Sequence, residues 1–491
     1  MAGNGWTQST PARSSTGLPN LGDGSGMTPS AERKLGDRIA RELYRDPDYL
    51  DDPVIMEYVQ SIWQPLLAAA RLRGELPPEL DQAYAWELLL GKDRSVNAFA
   101  LPGAYFGLHL GLVGVVTSRD ELASVLAHEL SHVTQRHISR LITRQGEQTP
   151  WLIGAMILGA LAASKNPGAA NAAIVGGQAV AAQTQLNFSR DMEREADRVG
   201  FGVMSQAGFA PQGFASMFEK LQQASRLNDG GNFPYLRSHP LTTERISDMQ
   251  SRVPQGAAAV TLGGELDQAM VAARARVLSN TAVDGLRNWA LEVEPTRLAR
   301  LAPYQQAGAL YGATLAAIKL RENAAALQAW TRLNELVRND AAAARLARLL
   351  GAELYLAQGD TARAQALLND GEAKTSRAEL FLLTPVRVRT GQAKAASESL
   401  QIWLVDHPRD AQAWQLLASA YAAQGRNVAS IRAEAEVNVA QLDYASALAR
   451  FKAAQEQARL GGAGADHFEA SIVDTRARQM ELLLREQALE R

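Results

Sequence analysis

Apolar residues recur every three to four positions through most of this 491-residue chain, which predicts a mostly helical protein. Residues 1–28 lack that period. They are rich in Gly, Ser, Thr and Pro and read as a flexible leader. A helix is expected from Thr28 with Ser30 as its N-cap, and "DDPVIMEYVQSIWQPLLAAA" continues the helical pattern. Between Tyr84 and Val116 the texture changes to short apolar and aromatic runs broken by Gly and Pro, which predicts about three short strands. Helix returns at Asp120, which can cap one continuous segment, "ELASVLAHELSHVTQRHISRLITRQ". The Ala/Gly-rich stretch Trp151 to Gln183 reads as two helices broken at "KNPGAAN". Two more follow, "SRDMEREADRVGFGVMSQAG", ending at Gly208, and "FAPQGFASMFEKLQQAS". The loop "LNDGGNF" then leads to "PYLRSHPLTTERISDMQ".

Beyond residue 255 the pattern becomes Ala/Leu-rich helix. Residues 256–302 read as a helical connector, and residues 303–491 carry a repeat. Turn-like glycines stand at Gly359, Gly391 and Gly425, and "WQLLASAYAAQG" places Trp414, Leu417, Ala418 and Tyr421 at the spacing of a tetratricopeptide helix. Pro408 ends the helix before it, and Asp443 to Ala454 reads as a second helix of such a unit. Arrays of this kind stack helix pairs into a concave binding surface, so the C-terminal third is expected to be a protein-interaction module.

Length alone suggests about two to four domains. The formal net charge of −2 gives no reason to expect nucleic acid as a partner. The chain has no cysteine, which excludes disulfides, thiolate metal sites and cysteine nucleophiles. That suits an oxidising compartment, and it leaves His and carboxylates as the ligands for any transition metal. The first residues lack the apolar core of a signal peptide, so the chain is expected to be either cytoplasmic or a processed form. No stretch has the roughly 20 apolar residues of a membrane span. "WLIGAMILGALAA", Trp151 to Ala163, reads either as a peripheral membrane contact or as a helix packed on the core.

The candidate chemistry begins in "HELSH". His128 and His132 lie one helical turn apart, about 40° around the axis, so both imidazoles can reach one ion. Glu129 stands at the side of that face, where a carboxylate can reach a metal-bound water. By the same geometry His137 is expected about 180° away, structural or exposed rather than a ligand. A zinc site still needs a third protein ligand. In "MEREADRVG", Glu193 and Asp197 share a face at i,i+4, so Glu193 can ligate while Asp197 reaches past it to support a histidine. Glu195 is expected to point away. A third piece is "SHPLTTERI", with His239, Pro240 and Arg245.

Together these pieces resemble the motif set of the HtpX/CAAX-prenyl-protease family of zinc metallopeptidases. "SVNAFALPGAYFGLHLGLV" is similar to the strand segment that precedes the zinc helix in that family. The motifs cover roughly residues 80–250. The appended repeats, weaker in detail, resemble soluble periplasmic members that carry a C-terminal tetratricopeptide domain.

The resemblance implies an α+β zincin-type domain (helices plus a small sheet) over residues 29–255, followed by an all-α tetratricopeptide solenoid. It implies one Zn2+ per chain held by His128, His132 and Glu193. Glu129 would be the general base, and Asp197 would support His128 or assist proton transfer. His239 and Arg245 would lie near the tetrahedral intermediate, and His239 could instead fill the fourth zinc position and hold the enzyme idle.

The implied activity is endopeptidase cleavage of misfolded or stalled outer-membrane proteins in the periplasm. The repeats would dock substrates or the β-barrel assembly machinery, and the signal peptide would already have been removed. A strand edge within "NAFALPG" would hold the substrate. The competing class is a chaperone-like repeat adaptor whose metal site is mainly structural.

Overall fold

The computed structural model describes residues 27–144, 189–226, 233–253, 264–368, 376–460 and 466–489. The first helix, α1 (Pro29–Arg45), is capped by Thr28 rather than Ser30, because the Thr28 hydroxyl accepts the Ala31 amide and Pro29 occupies the first turn. β1 (Tyr49–Leu50), α2 (Pro53–Leu72), α3 (Pro78–Ala83), β2 (Glu87–Gly91), β3 (Ala98–Leu101) and β4 (Tyr105–His109) follow. The three strands expected between Tyr84 and Val116 are present, and the short β1 adds a fourth.

The sheet runs β1-β2-β4-β3, with β2 and β4 parallel and the outer pairs antiparallel. β3 is therefore an edge strand. β4 is buried along its whole length, and Trp63 of α2 meets Phe106 of β4 edge-on at 4.6 Å, which fixes the helix on the sheet.

After α4 (Leu110–Val115) comes the candidate metal helix, α5 (Arg119–Thr134). Its N-cap is Ser118, which accepts the Glu121 amide, rather than Asp120. Every residue from Glu121 to Thr134 is buried, so α5 is the central helix of this half of the molecule. The expected continuous helix does not form. α5 stops at Thr134, Arg136 turns back with φ 56°, and α6 (His137–Arg144) starts in a new direction. The Trp151–Gln183 helices, including the Trp151–Ala163 stretch, and the residues of "LNDGG" fall outside the described residues.

α7 (Arg190–Gln206), α8 (Gln212–Arg226), α9 (Tyr235–Ser238) and α10 (Thr243–Arg252) complete the first half. α7 and α8 both pack on α5. Gly200 lets α7 approach closely, since a Cβ there would lie 3.1 Å from the Ala127 carbonyl of α5.

The second half is helical throughout its described residues. α11 (Leu266–Ser279), α12 (Val283–Glu292) and α13 (Pro295–Leu298) precede α14 (Pro303–Leu320), α15 (Asn323–Val337), α16 (Ala341–Gln358) and α17 (Thr361–Leu368). α18 (Arg377–Arg389), α19 (Ala393–Asp406), α20 (Ala411–Ala423), α21 (Asn427–Ala440), α22 (Tyr444–Leu460) and α23 (His467–Leu489) follow. Each helix from α14 onward packs on the next, which makes an array of helical hairpins.

Gly359, Gly391 and Gly425 all adopt positive φ at the turns, where an L side chain would be strained. Leu417, Ala418 and Tyr421 are buried between helices. The helix expected over Asp443–Ala454 is α22, which packs on both α21 and α23. One apolar core runs without a break from Val54 of α2 to Val386 of α18 and joins the sheet-containing half to the start of the array. Among the described residues no helix is long and apolar enough to cross a membrane.

Candidate metal centre

α5, α7 and the turn after α9 bring four side chains together. His128, His132, Glu193 and His239 are all buried, and each offers a ligand atom within 4.8 Å of the others. His128 Nε2 lies 3.0 Å from His132 Nε2 and 3.4 Å from Glu193 Oε2. His132 Nε2 lies 3.4 Å from Glu193 Oε1. His239 Nδ1 lies 3.3 Å from His128 Nε2 and 3.1 Å from Glu193 Oε1. Four donors held tetrahedrally at ~2.0–2.1 Å from one zinc ion would stand roughly 3.3 Å apart. Five of the six donor pairs lie 3.0–3.4 Å apart, counting both Glu193 oxygens, so the residues present fit such an ion.

His239 is fixed from two sides. Its ring stacks on Tyr235 with centroids 4.5 Å apart, and its backbone amide donates to the Tyr235 carbonyl. Sequence reasoning gave Tyr235 no part in the site, and nothing in "PYLRSH" distinguishes it from an ordinary buried tyrosine. His239 Nε2 lies 3.4 Å from Glu129 Oε1. Both carboxylate oxygens of Glu129 are buried without a hydrogen bond of good geometry, with His239 and Tyr235 as their neighbours, a costly arrangement that favours taking up a proton.

A layer of carboxylates and arginine supports these groups. Asp197 Oδ1 faces His128 Nδ1 at 3.0 Å. Arg245 grips Asp197 with two parallel bonds of 2.6 and 2.8 Å, reaches Glu193 Oε2 at 2.7 Å and donates to the Pro240 carbonyl at 2.9 Å. The resemblance implies a place for Arg245 near the tetrahedral intermediate, and here its guanidinium bonds Glu193 and Asp197. It lies on the two carboxylates behind the histidines.

His137 departs from its expected position, because the 100° rule was carried past the end of α5. The turn at Arg136 brings His137 Nδ1 to 2.8 Å from His132 Nδ1, and its Nε2 lies 3.0 Å from Glu195 Oε2. Glu195, expected to point away from the site, is thus joined to it through His137. No Gly, Pro or Asn marks the helix break, so the sequence carried no signal for this contact.

Three buried carboxylates, Glu129, Glu193 and Asp197, face one buried guanidinium, Arg245. Burial alone would lower the pKa of His128, yet hydrogen bonds and charge from Asp197 and Glu193 outweigh it and raise the ring to about 10. Burial pushes His132 well below the usual imidazole range and Glu129 above the usual carboxylate range. Glu193 is held well below its ordinary range: burial opposes this, but His239, His128 and His132 overcome it. Asp197 is likewise held low by Arg245 and His128 against its burial.

Two histidines and a glutamate converging on one point, with a free carboxylate beside them on the same helix, define a metallopeptidase site. The model of peptidase family M48 matches residues 56–253. A putative beta-barrel assembly-enhancing protease of Vibrio cholerae is 30% identical over 466 residues, 93% of this chain and 91% of its own length. The beta-barrel assembly-enhancing protease of Escherichia coli K12 is 28% identical over 477 residues, 95% of this chain and 93% of its own. The mitochondrial metalloendopeptidase OMA1 of Saccharomyces cerevisiae is 28% identical over 202 residues, 40% of this chain and 55% of its own. The chain belongs to peptidase family M48 and is a metalloprotease.

Proposed function

We propose that this chain is a periplasmic zinc endopeptidase that degrades misfolded or stalled outer-membrane proteins and assists their assembly. The relatives that match nearly end to end are named for enhancing beta-barrel assembly, which supports that substrate class and that compartment. The observation that carries the chemistry is the convergence of donors from His128, His132, Glu193 and His239, all within 4.8 Å of one another, beside the buried carboxylate of Glu129.

We read residues 29–255 as the peptidase domain after a leader of residues 1–28. Residues 256–302 are the connector. Residues 303–491 are a tetratricopeptide domain that docks substrates or the barrel assembly machinery, an assignment supported by the hairpin array and its positive-φ glycines.

His128, His132 and Glu193 hold one zinc ion per chain. Bound zinc supplies a Lewis acid that polarises a carbonyl and acidifies water. Glu129 takes the proton of the attacking water on its free carboxylate and delivers it to the leaving amine. Burial raises its pKa above the ordinary carboxylate range, which makes it a better proton acceptor than an exposed carboxylate. Asp197 holds the His128 ring, and Arg245 keeps Asp197 and Glu193 in place from behind. The edge strand β3 packs against α5, so an extended substrate can add to the sheet alongside the site.

His239 occupies the fourth donor position and holds the enzyme idle until substrate displaces it. Its contacts with His128 and Glu193, which place it among the donors, support this reading. His239→Ala is then expected to raise cleavage of an unfolded outer-membrane protein, and a fall would reassign His239 to stabilising the reaction itself.

The decisive variant for the whole reading is Glu129→Gln, which is expected to keep stoichiometric zinc and lose cleavage by a factor of at least about 100. Cleavage at the wild-type rate in a clean preparation of that variant would refute the mechanism.

A further inference from the structure

His137 has no part in the chemistry above, yet it is fully buried against a ligand of the site. Its Nδ1 faces His132 Nδ1 at 2.8 Å, its Nε2 faces Glu195 Oε2 at 3.0 Å, and Arg140 donates to that same oxygen at 2.8 Å. Two imidazole nitrogens at that separation share a single proton, so one ring donates and the other accepts. His132 turns its Nε2 into the donor cluster, 3.0 Å from His128 Nε2 and 3.4 Å from Glu193. A cation there uses the Nε2 lone pair and leaves the ring proton on Nδ1. His137 Nδ1 is then the acceptor, its own proton sits on Nε2, and Glu195 accepts that one.

We propose that His137 is the positioning residue for His132. It fixes the tautomer and ring plane of His132, while Glu195, tied to Arg140, fixes His137 in turn. The proposal rests on the reading of His132 as a metal ligand.

The two histidines of α5 are thus supported in different ways. His128 is backed directly by the carboxylate of Asp197, which already has Arg245 as counter-ion. A second carboxylate placed directly behind His132 would add another buried charge to a cluster that holds three carboxylates and one guanidinium. A neutral imidazole gives His132 an acceptor without that charge, and it transfers the anchoring to Glu195, which is 36% exposed and so keeps its solvation. The arrangement depends on the backbone turn at Arg136, with φ 56°, because a straight continuation of α5 would carry His137 to the far side of the helix.

The test uses the full chain and zinc itself, titrated against a chromophoric chelator. His137→Phe keeps a ring in the space but removes the acceptor, and it is expected to weaken zinc binding by about 10–100-fold with the helical circular dichroism unchanged. His137→Asn places an amide oxygen where Nδ1 stood and is expected to recover most of that loss. In zinc-loaded protein labelled with 15N-histidine, His137 is expected to show a bare Nδ1 and a protonated Nε2. Wild-type affinity in His137→Phe, equal losses in the Phe and Asn variants, or a protonated Nδ1 on His137 would each overturn the proposal. Should His137→Phe fail to fold, Glu195→Leu carries the test: a smaller but measurable loss of zinc affinity supports the relay, and an unchanged affinity overturns it. Failure of the wild-type chain to bind zinc would instead remove the metal reading beneath.

Discussion

At the scale of single residues, the site combines groups that are costly to bury one by one. Asp197 stays ionised inside the protein because Arg245 and His128 hold it, and Glu193 because His239, His128 and His132 do, with Arg245 bonding it as well. Removing the arginine takes away the one guanidinium that bonds both buried carboxylates and leaves only the histidines to offset them. Arg245→Ala is therefore expected to cost about 3–5 kcal/mol in chemical denaturation. Saturating zinc should return part of that stability, because the ion binds only the folded site. A loss below about 1 kcal/mol would mean that the carboxylates find other partners. Much of this layer was legible in the sequence. The i,i+4 spacings of His128 with His132 and of Glu193 with Asp197 place each pair on one helical face wherever the helix lies. Arg245 was legible as a member of the site, but its partners were not, because which carboxylate an arginine meets depends on how α7 and α10 pack.

At the scale of elements, the site exists because α5 and α7 approach closely enough for Glu193 to reach both histidines of α5. Gly200 sets that distance, since a side chain there meets the backbone of Ala127 and His128. Gly200→Leu is expected to push α7 away from α5 and weaken zinc affinity at least about tenfold through misplaced ligands. The substitution raises the intrinsic helix propensity of α7, so a simple propensity argument predicts stabilisation instead. Zinc titration together with thermal melting separates the two, and unchanged affinity would show that the gap is slack. The sequence failed where an element ended without a signal. The turn at Arg136 uses an arginine in the left-handed region, which no residue preference announces, and both the position of His137 and the partner of Glu195 follow from that turn. The strands were easier to read, because Gly and Pro bracket their short apolar runs.

At the scale of the whole molecule, the helical array is bound to the sheet-containing half by arginines and acids as well as by the shared apolar core. Arg377 of α18 bonds both Asp51, just before α2, and Asp410, the N-cap of α20. Arg345 of α16 bonds Glu57 of α2 and Glu379 of α18. Arg274 of α11 pairs with Asp52 and Glu353 inside the core. Burial works against the charge on Asp410, but Arg377 overcomes it and holds the carboxyl below its ordinary pKa. For Glu379 the Ser376 amide and Arg345 do the same.

A lowered pKa in the folded state gives stability that is complete above about pH 4.5 and is lost as the pH falls through the lowered values. Acidification through that window is therefore expected to raise hydrogen exchange at α18 and α20. Asp410→Asn should remove part of the slope, and identical acid profiles in the two proteins would show that this clamp carries no stability. The glycine period of the array was readable from sequence. Its docking was not, because the pairing of Asp51 with Arg377 spans 326 residues and leaves no local pattern.

The central claim is that His128, His132, Glu193 and His239 hold one metal ion, and zinc K-edge X-ray absorption on the purified, zinc-loaded chain tests it most directly. One zinc ion per chain is predicted, with only nitrogen and oxygen neighbours at ~2.0–2.1 Å. Imidazole scattering from three histidines is expected in the wild type and from two in His239→Ala. A wild-type spectrum with fewer than two imidazoles, or one that His132→Ala leaves unchanged, would contradict the account.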